Sequence, residues 1–247
     1  LGNMFEKIER LKELSLFISR KLDLKDSQRK NIGRAAELSK ADLVTHMVGE
    51  FPSLQGLVGR EYALKSGEEK IAAVAIGEHY LPQGMDDKLP SSDEGAVLAI
   101  ADKIDNLVGF SGMMIEKISG SFDPFGIRRN ALGIIRIIKD RSFRFKIDEA
   151  IQKAIELYGD KLKINDGEFK GKIIDFVNDR IEFLMGEVRP IELKKAVLGS
   201  NSPDIANIFE RKEVLASISN ERYFLEAAKV VERTSNILKG AKGGIIG

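Results

Sequence analysis

The 247-residue sequence has no cysteine, no tryptophan and only two histidines. The lack of cysteine excludes disulfides and thiolate zinc sites, and it suits a reducing compartment. His46 and His79 are the only imidazoles, so neither a Ser-His-Asp relay nor a HExxH zinc helix can be assembled. A GxxxxGK[ST] phosphate-binding loop is also missing. The side chains that common hydrolases rely on are therefore scarce.

Long apolar runs and a strong charge of either sign are absent as well. No stretch of about 18 apolar residues is present, which predicts no membrane association and favours a cytoplasmic location. The formal net charge is +1, so any contact with nucleic acid must come from local clusters of basic residues. The chain begins at Leu1 rather than methionine. We expect it to be a portion of a longer polypeptide.

Apolar residues recur mostly at helical spacing, which predicts an all-α protein. Composition changes near residues 141–146, and we place a boundary there, between a domain at 1–140 and a second helical region at 141–247. The segment RSFRFKID at 141–148 alternates apolar and polar residues and favours an extended conformation only weakly. One helix is predicted from Asp26 to about Val48.

The stretch from Gly95 to Lys139 holds two helices around which the chain is organised. The first has one apolar stripe, and its spacing places Asp102 and Asp105 on a flank of that stripe. Ser91 and Glu94 have the spacing of a capping box at its start. The stripe consists of Val97, Ala101, Ile104 and Val108.

The second helix combines an apolar stripe with one basic side. Asp123 is predicted to accept the first free N–H groups, and Pro124 suits the first turn. The apolar stripe is Ile127, Ala131, Ile134 and Ile138, and the basic side is Arg128, Arg129, Arg136 and Lys139. This side is either an ordinary solvated face or a column of cations that contacts phosphates along a nucleic-acid backbone.

One constellation has the residue types of a metal site. Asp42 and His46 are four residues apart on a predicted helix, and His79 and Asp102 lie on other helices. Carboxylates and imidazoles from several helices can bind a divalent ion that activates water. A local hydrogen bond between Asp42 and His46, with His79 at a helix end, accounts for the same pattern without a metal.

Several segments together resemble the β subunit of the bacterial two-subunit glycyl-tRNA synthetase. They are KADLVTHMVGEFPSLQGLVGREYAL, EHYLP, LAIADKIDNLVGF and GSFDPFGIRRNALGIIRIIKD, which cover most of residues 34–140. The resemblance implies that the chain is part of a tRNA(Gly)-binding subunit of an aminoacyl-tRNA synthetase, a ligase that acts in translation. It also implies an α subunit that holds the glycine and ATP site, an α2β2 assembly, and no cofactor or catalytic residue in this part. Residues 141–247 would lead towards an anticodon-binding domain.

Within this resemblance, residues 30–115 are similar to an HD-type helical domain, the fold of metal-dependent phosphohydrolases. Asp42 matches the aspartate of the His-Asp dyad and Asp102 the later aspartate ligand. Ala41 stands where the dyad has histidine, and SQRKNIGRAAEL upstream contains no histidine. We therefore expect a degenerate site without metal and without hydrolysis.

The leading hypothesis is a non-catalytic segment that binds tRNA and supports the α subunit. Its expected RNA contacts are Arg128, Arg129, Arg136 and Lys139, followed by Arg60 and Lys40. Two alternatives remain. One is a phosphohydrolase with a metal site remodelled from Asp42, His46, His79 and Asp102, and the other is an architectural spacer that touches only its partner subunit.

Overall fold

The computed structural model describes residues 1–114, 123, 125–162, 166–186, 191–199 and 202–240. Within these ranges every regular element is helical, which confirms the predicted all-α class. The helices of the first half are α1 (Met4–Lys21), α2 (Asp26–Leu38), α3 (His46–Glu50), α4 (Leu57–Lys65), α5 (Lys70–Glu78) and α6 (Asp93–Met114). Those of the second half are α7 (Ile127–Arg141), α8 (Ile147–Tyr158), α9 (Asp166–Met185), α10 (Ile191–Leu198), α11 (Ile205–Ile218) and α12 (Arg222–Gly240). None of these helices is long and apolar enough to cross a bilayer.

Two compact units make up the chain. The first comprises Leu1–Gly186 and Ser202–Asn207, and it contains α1 to α9. The second comprises Glu187–Asn201 and Ile208–Gly247, and it contains α10, most of α11, and α12. The composition change at residues 141–146 lies inside the first unit, because α8 packs on α1 and α6, and α9 packs on α6, α7 and α8. Assignment of residues 1–140 as an HD-type domain stays a prediction.

Helix α6 is the centre of the first unit. It packs against α1, α2, α5, α7, α8 and α9. A helix surrounded in this way must be apolar around most of its circumference, not only along one stripe. Its fully buried apolar residues are Ala96, Val97, Leu98, Ala99, Ile100, Ala101, Ile104, Leu107 and Val108, which confirms the predicted stripe and extends it.

Helix α7 covers α6 with the predicted stripe, since Ile127, Ala131, Ile134 and Ile138 are all buried. The Asp123 carboxylate accepts hydrogen bonds from the backbone N–H groups of Ile127 at 2.7 Å and Arg128 at 3.1 Å, as predicted for a capping residue. The helix begins at Ile127, after Gly126 in the left-handed region at φ +65°. Pro124, predicted in the first turn, lies outside the described residues.

Two local predictions are wrong. Ser92, not Ser91, caps α6: its hydroxyl accepts the Gly95 N–H at 3.0 Å, while Glu78 holds Ser91 through the Ser91 backbone N–H at 2.8 Å. The helix predicted from Asp26 to Val48 ends at Leu38 and is followed by a 3-10 turn, Ala41–Val44. Thr45 then adopts an extended conformation and caps α3, accepting the Val48 N–H. Asp42 and His46 consequently do not share a helix.

Tight helix contacts make one glycine of α6 a test of this packing. A Cβ at Gly109 would lie 2.3 Å from the Tyr158 hydroxyl oxygen, whereas a Cβ at Gly171 in α9 would meet nothing within 4 Å. We expect Gly109→Ala to lower the free energy of unfolding by about 1–3 kcal/mol through overpacking. Gly171→Ala should raise it by about 0.5–1 kcal/mol. Urea denaturation measures both, and equal effects would contradict the α6–α8 contact.

Candidate functional site: a buried ionic centre and the adjacent cleft

Two carboxylates of α6, those of Asp102 and Asp105, meet two basic side chains of α1. Lys7 Nζ lies 2.9 Å from Asp102 Oδ1 and 2.8 Å from Asp105 Oδ2. Arg10 Nε donates to Asp105 Oδ1 at 2.6 Å. Asp102 and Asp105 are only 5% and 2% exposed. The flank predicted for these aspartates is therefore a buried ionic interface between α1 and α6.

Helix α8 completes the surroundings of Asp105. The Tyr158 hydroxyl donates to the Asp105 backbone oxygen at 3.0 Å, and the Arg10 guanidinium lies 4.0 Å from the centre of the Tyr158 ring. Burial, together with the nearby Asp105 charge, raises the pKa of Tyr158 to about 12, so the phenol stays protonated and keeps donating. Asp105 thus fixes α1 and α8 against α6.

Lys40 approaches Asp102 from the opposite side. Its Nζ lies 3.3 Å from Asp102 Oδ2, 2.7 Å from His79 Nε2 and 4.0 Å from the centre of the Tyr80 ring. The residue is 5% exposed, and burial lowers the pKa of its ammonium to about 8 against the attraction of Asp102. Lys40 was expected among the RNA contacts. The structure instead turns its ammonium inward, because Lys40 follows the end of α2 and points towards α6.

His79 is held as a neutral imidazole. It is fully buried, and desolvation and the Lys40 charge keep its pKa well below the usual value. Its Nδ1 lies 2.6 Å from the Ile76 carbonyl oxygen, which can only accept. The ring proton is therefore on Nδ1, and the Nε2 lone pair accepts from Lys40.

Asp102 is anionic despite its burial. Desolvation alone would raise the pKa of this carboxyl group, but Lys40, Lys7 and the hydrogen bond from Lys7 outweigh it and hold the pKa well below its ordinary value. Two ammonium groups consequently share one buried carboxylate. Such an arrangement is strongly destabilised when one charge is removed alone.

Asp42, the other residue that matches an HD-type metal ligand, instead binds backbone N–H groups of a helix. Its Oδ2 accepts the backbone N–H groups of Gly56 at 2.6 Å and Gly59 at 3.2 Å, at the start of α4. Gly56 precedes that helix in the left-handed region at φ +79°, and a Cβ at Gly59 would crowd Asp42. The carboxylate thus caps α4 from the neighbouring 3-10 turn.

The donor set does not fit a divalent metal. His46 is exposed on α3, Asp42 caps α4, and the free lone pair of His79 is used by Lys40. Within the described ranges no group of three or more His, Asp or Glu side chains is close enough to hold an ion. Lys7 and Lys40 supply the positive charge beside Asp102. Lys40 brings His79 and Asp102 together, but Asp42 caps α4 and His46 is exposed. The four residues of the remodelled metal hypothesis therefore do not form one site.

A cleft of about 370 Å³ opens beside this centre, between α1, α6 and α7. Sequence reasoning missed two of its four basic residues, Lys7 and Lys103. The α1 periodicity alone could have indicated that Lys7 lies near the buried face, since it precedes Leu11 and Leu14 by one and two turns. Nothing in the sequence marks Lys103. The lining includes Lys7, Lys40, Gln55, Tyr80, Gln83, Asp102, Lys103, Phe125, Arg129 and Asn130.

The residues of the predicted basic side of α7 differ in their partners and in their exposure. Arg136 donates to the backbone oxygens of Gly84 and Asp87, each at 2.9 Å, and so holds the loop before α6. Arg128 is half-buried, while Arg129 and Lys139 are exposed, Arg129 at the cleft. Arg60 pairs with Glu61 at 2.8 Å on α4.

These features define an all-helical scaffold whose polar centre is closed by its own lysines. A protein-family model of the glycyl-tRNA synthetase beta subunit matches residues 1–199, and the chain belongs to this family. Curated relatives named glycine–tRNA ligase beta subunit include proteins of Desulforudis audaxviator, 39% identical over 98% of this chain, and Halothermothrix orenii, 41% identical over 98%. That of Syntrophus aciditrophicus is 37% identical over 100% of the chain. The chain spans 35% of the length of each of these relatives.

The buried lysines predict a stability that rises with pH. Burial lowers the pKa values of Lys40 and Lys103 to about 8, against 10.5 for a free lysine. Between these values the unfolded chain binds more protons than the folded one, so raising the pH favours folding. We expect the free energy of unfolding to increase by about 1–3 kcal/mol from pH 7.5 to 9.5. Chemical denaturation across this range measures it, and Lys103→Met should reduce the increase. A decrease with pH would contradict the assignment.

Removal of the shared carboxylate tests the ionic centre directly. Asp102→Asn keeps the shape but removes the carboxylate that Lys40 pairs with, while Lys7 keeps Asp105. We expect a loss of about 3–5 kcal/mol in unfolding free energy, because the buried Lys40 charge is then uncompensated. Adding Lys40→Met should recover part of the loss, because one uncompensated charge then disappears. Thermal and urea unfolding of both variants provide the measurement. A double variant that is less stable than Asp102→Asn alone would contradict the coupling of Lys40 and Asp102.

Proposed function

We propose that the chain is a non-catalytic, tRNA-binding and assembly-supporting portion of glycine–tRNA ligase. Its ligand would be tRNA(Gly), and its protein partner an α subunit that carries glycine and ATP chemistry in an α2β2 enzyme of the cytoplasm. Membership of the beta subunit family supports this assignment. The relatives are about three times as long as this chain, so other parts of the polypeptide would share the work.

The proposal that this portion is non-catalytic rests on the two lysines that are ion-paired with Asp102. Lys7 and Lys40 lie 2.9 and 3.3 Å from its two oxygens, and the only nearby imidazole is committed to Lys40. A hydrolytic site needs a group that activates water, such as a metal or a free base. Here each candidate group already has a structural partner, which supports a scaffold rather than a phosphohydrolase.

The proposal that this portion binds tRNA rests on the exposed basic residues of α7. Arg129 and Lys139 present their charges outward on a helix whose opposite face is fixed in the core. Guanidinium and ammonium groups on a rigid helix suit phosphate contacts, which position RNA without reading its sequence. Arg136 and Arg60 are half-buried and Lys40 is buried, so these three present less of their charge at the proposed surface.

Charge reversal on α7 tests the proposed surface in the full-length protein. We expect Arg129→Glu with Lys139→Glu to weaken tRNA(Gly) binding by about tenfold or more at 0.1 M salt, and to reduce the salt slope by about two. The doubly reversed variant should unfold at the same denaturant concentration as the parent, since both side chains are exposed. Filter binding at several salt concentrations gives affinity and slope.

The matched control is Lys65→Glu with Lys30→Glu, which reverses two exposed charges on other helices of the same unit. We expect it to change affinity much less. Equal weakening by both pairs would indicate a general effect of net charge and would contradict the α7 surface. Unchanged affinity and salt slope in the α7 variant would instead favour a spacer that touches only its partner subunit.

A further inference from the structure

The cleft beside Asp102 contains more positive than negative charge. Four basic side chains line it, from Lys7, Lys40, Lys103 and Arg129, and among the described residues Asp102 is the only carboxylate in the lining. Lys7 and Lys40 are paired with Asp102. In the part of the chain that the structure describes, neither Lys103 nor Arg129 forms an ion pair. Within that part, two cations of the cleft therefore have no ion-pair partner.

Lys103 is a buried residue of the cleft lining and does not lie at the protein surface. It is 3% exposed, and its ammonium donates to the Tyr80 backbone oxygen at 3.2 Å. Its aliphatic stem passes over Gly133 of α7, where a Cβ would lie 2.7 Å from Lys103 Cε. A glycine inside a helix is unfavourable, and so is a buried ammonium without an anion. An anion bound in the cleft would offset the second of these costs.

Burial also lowers the pKa of Lys103 to about 8, with Asp102 opposing and Lys40 adding to the effect. The ammonium therefore remains mostly protonated at neutral pH. A bound anion would be attracted by it without first requiring uptake of a proton. Arg129 lies at the same cleft and keeps its charge at any pH a protein tolerates.

The rest of the lining suits a ligand with several polar atoms. Among the described residues, the side-chain amides of Gln55, Gln83 and Asn130 form no hydrogen bond with protein, so each can both donate and accept. Tyr80 and Phe125 add aromatic surface. The volume of about 370 Å³ falls in the range of small-molecule sites.

We propose that this cleft binds the phosphate group of a nucleotide, with Lys103 and Arg129 on the phosphate and the amide side chains on the sugar and base. The nucleotide is either free or an unpaired residue of an RNA strand, because both present the same phosphate, sugar and base. Convergent basic groups with amide donors and acceptors match this combination of charge and hydrogen-bonding sites. The inference does not depend on the proposed function, since a free nucleotide would satisfy it.

The test compares Lys103→Met and Lys65→Met in the full-length protein. Methionine keeps the length of the stem and removes the charge, and Lys65 is an exposed lysine of α4 that serves as control. Isothermal titration with uridine and guanosine 5′-monophosphates avoids any adenylate site on a partner subunit. A short single-stranded RNA forms the second arm. We expect saturable one-to-one binding that Lys103→Met weakens by about tenfold and Lys65→Met leaves unchanged.

The two arms identify the source of the phosphate. Binding of the mononucleotides shows a free-nucleotide site, and binding of the oligonucleotide alone, still sensitive to Lys103→Met, shows a site for a nucleotide within a strand. The inference is overturned if neither ligand binds, or if Lys103→Met binds as tightly as the parent while its unfolding midpoint shows an intact fold. Should the α7 reversals still weaken tRNA binding in that case, the proposed RNA surface stands without the cleft.

Discussion

The ion pairs that Lys7 and Lys40 form with Asp102 are the constraint on which the rest of the first unit depends. Asp102 lies in the middle of α6, which is surrounded by six other helices, and the residue is only 5% exposed. A buried charge of this kind must be compensated locally or the fold is lost. The compensation arrives from α1 and from the segment after α2, so the same contacts that neutralise Asp102 also fix where these elements lie. Neutralising the Asp102 charge and placing these helices therefore require the same contacts.

The same chemistry decides what the site can do. A carboxylate and an imidazole in a buried pocket would ordinarily be candidates for metal binding or proton transfer. In this chain His79 is kept neutral with its lone pair on Lys40, and Asp102 is kept anionic by two ammonium groups. Groups whose charge states are held this firmly are poor acids and bases near neutral pH. The chemistry left to the pocket is attraction of anions, because Lys103 adds a positive charge that forms no ion pair with any described residue.

Periodicity predicted the parts of this arrangement that lie within single helices. The stripes of α6 and α7, the flank bearing Asp102 and Asp105, and the cap at Asp123 all follow from spacing, since each depends on neighbours a few residues away. The partners of Asp102 could not be predicted in this way, because Lys7 and Lys40 are 95 and 62 residues distant in the chain and meet it only after packing. The extended α2 prediction failed at Thr45, where a side-chain cap restarts the helix three residues after Asp42 and outweighs a continuous apolar pattern.

The basic face of α7 shows why a count of charges is a weak guide to binding. Spacing places Arg129 and Arg136 on the same side, two turns apart, yet packing gives them different partners. Arg136 meets the loop before α6 and donates to two backbone oxygens, whereas the Arg129 side chain forms no hydrogen bond or ion pair with the described residues and lines the cleft. A guanidinium bound to neutral carbonyl oxygens keeps its charge but has fewer donors to offer a phosphate. Within the cleft, Lys103 and Arg129 are the cations for which the described residues hold no ion-pair partner, so these two are available to an anionic ligand there.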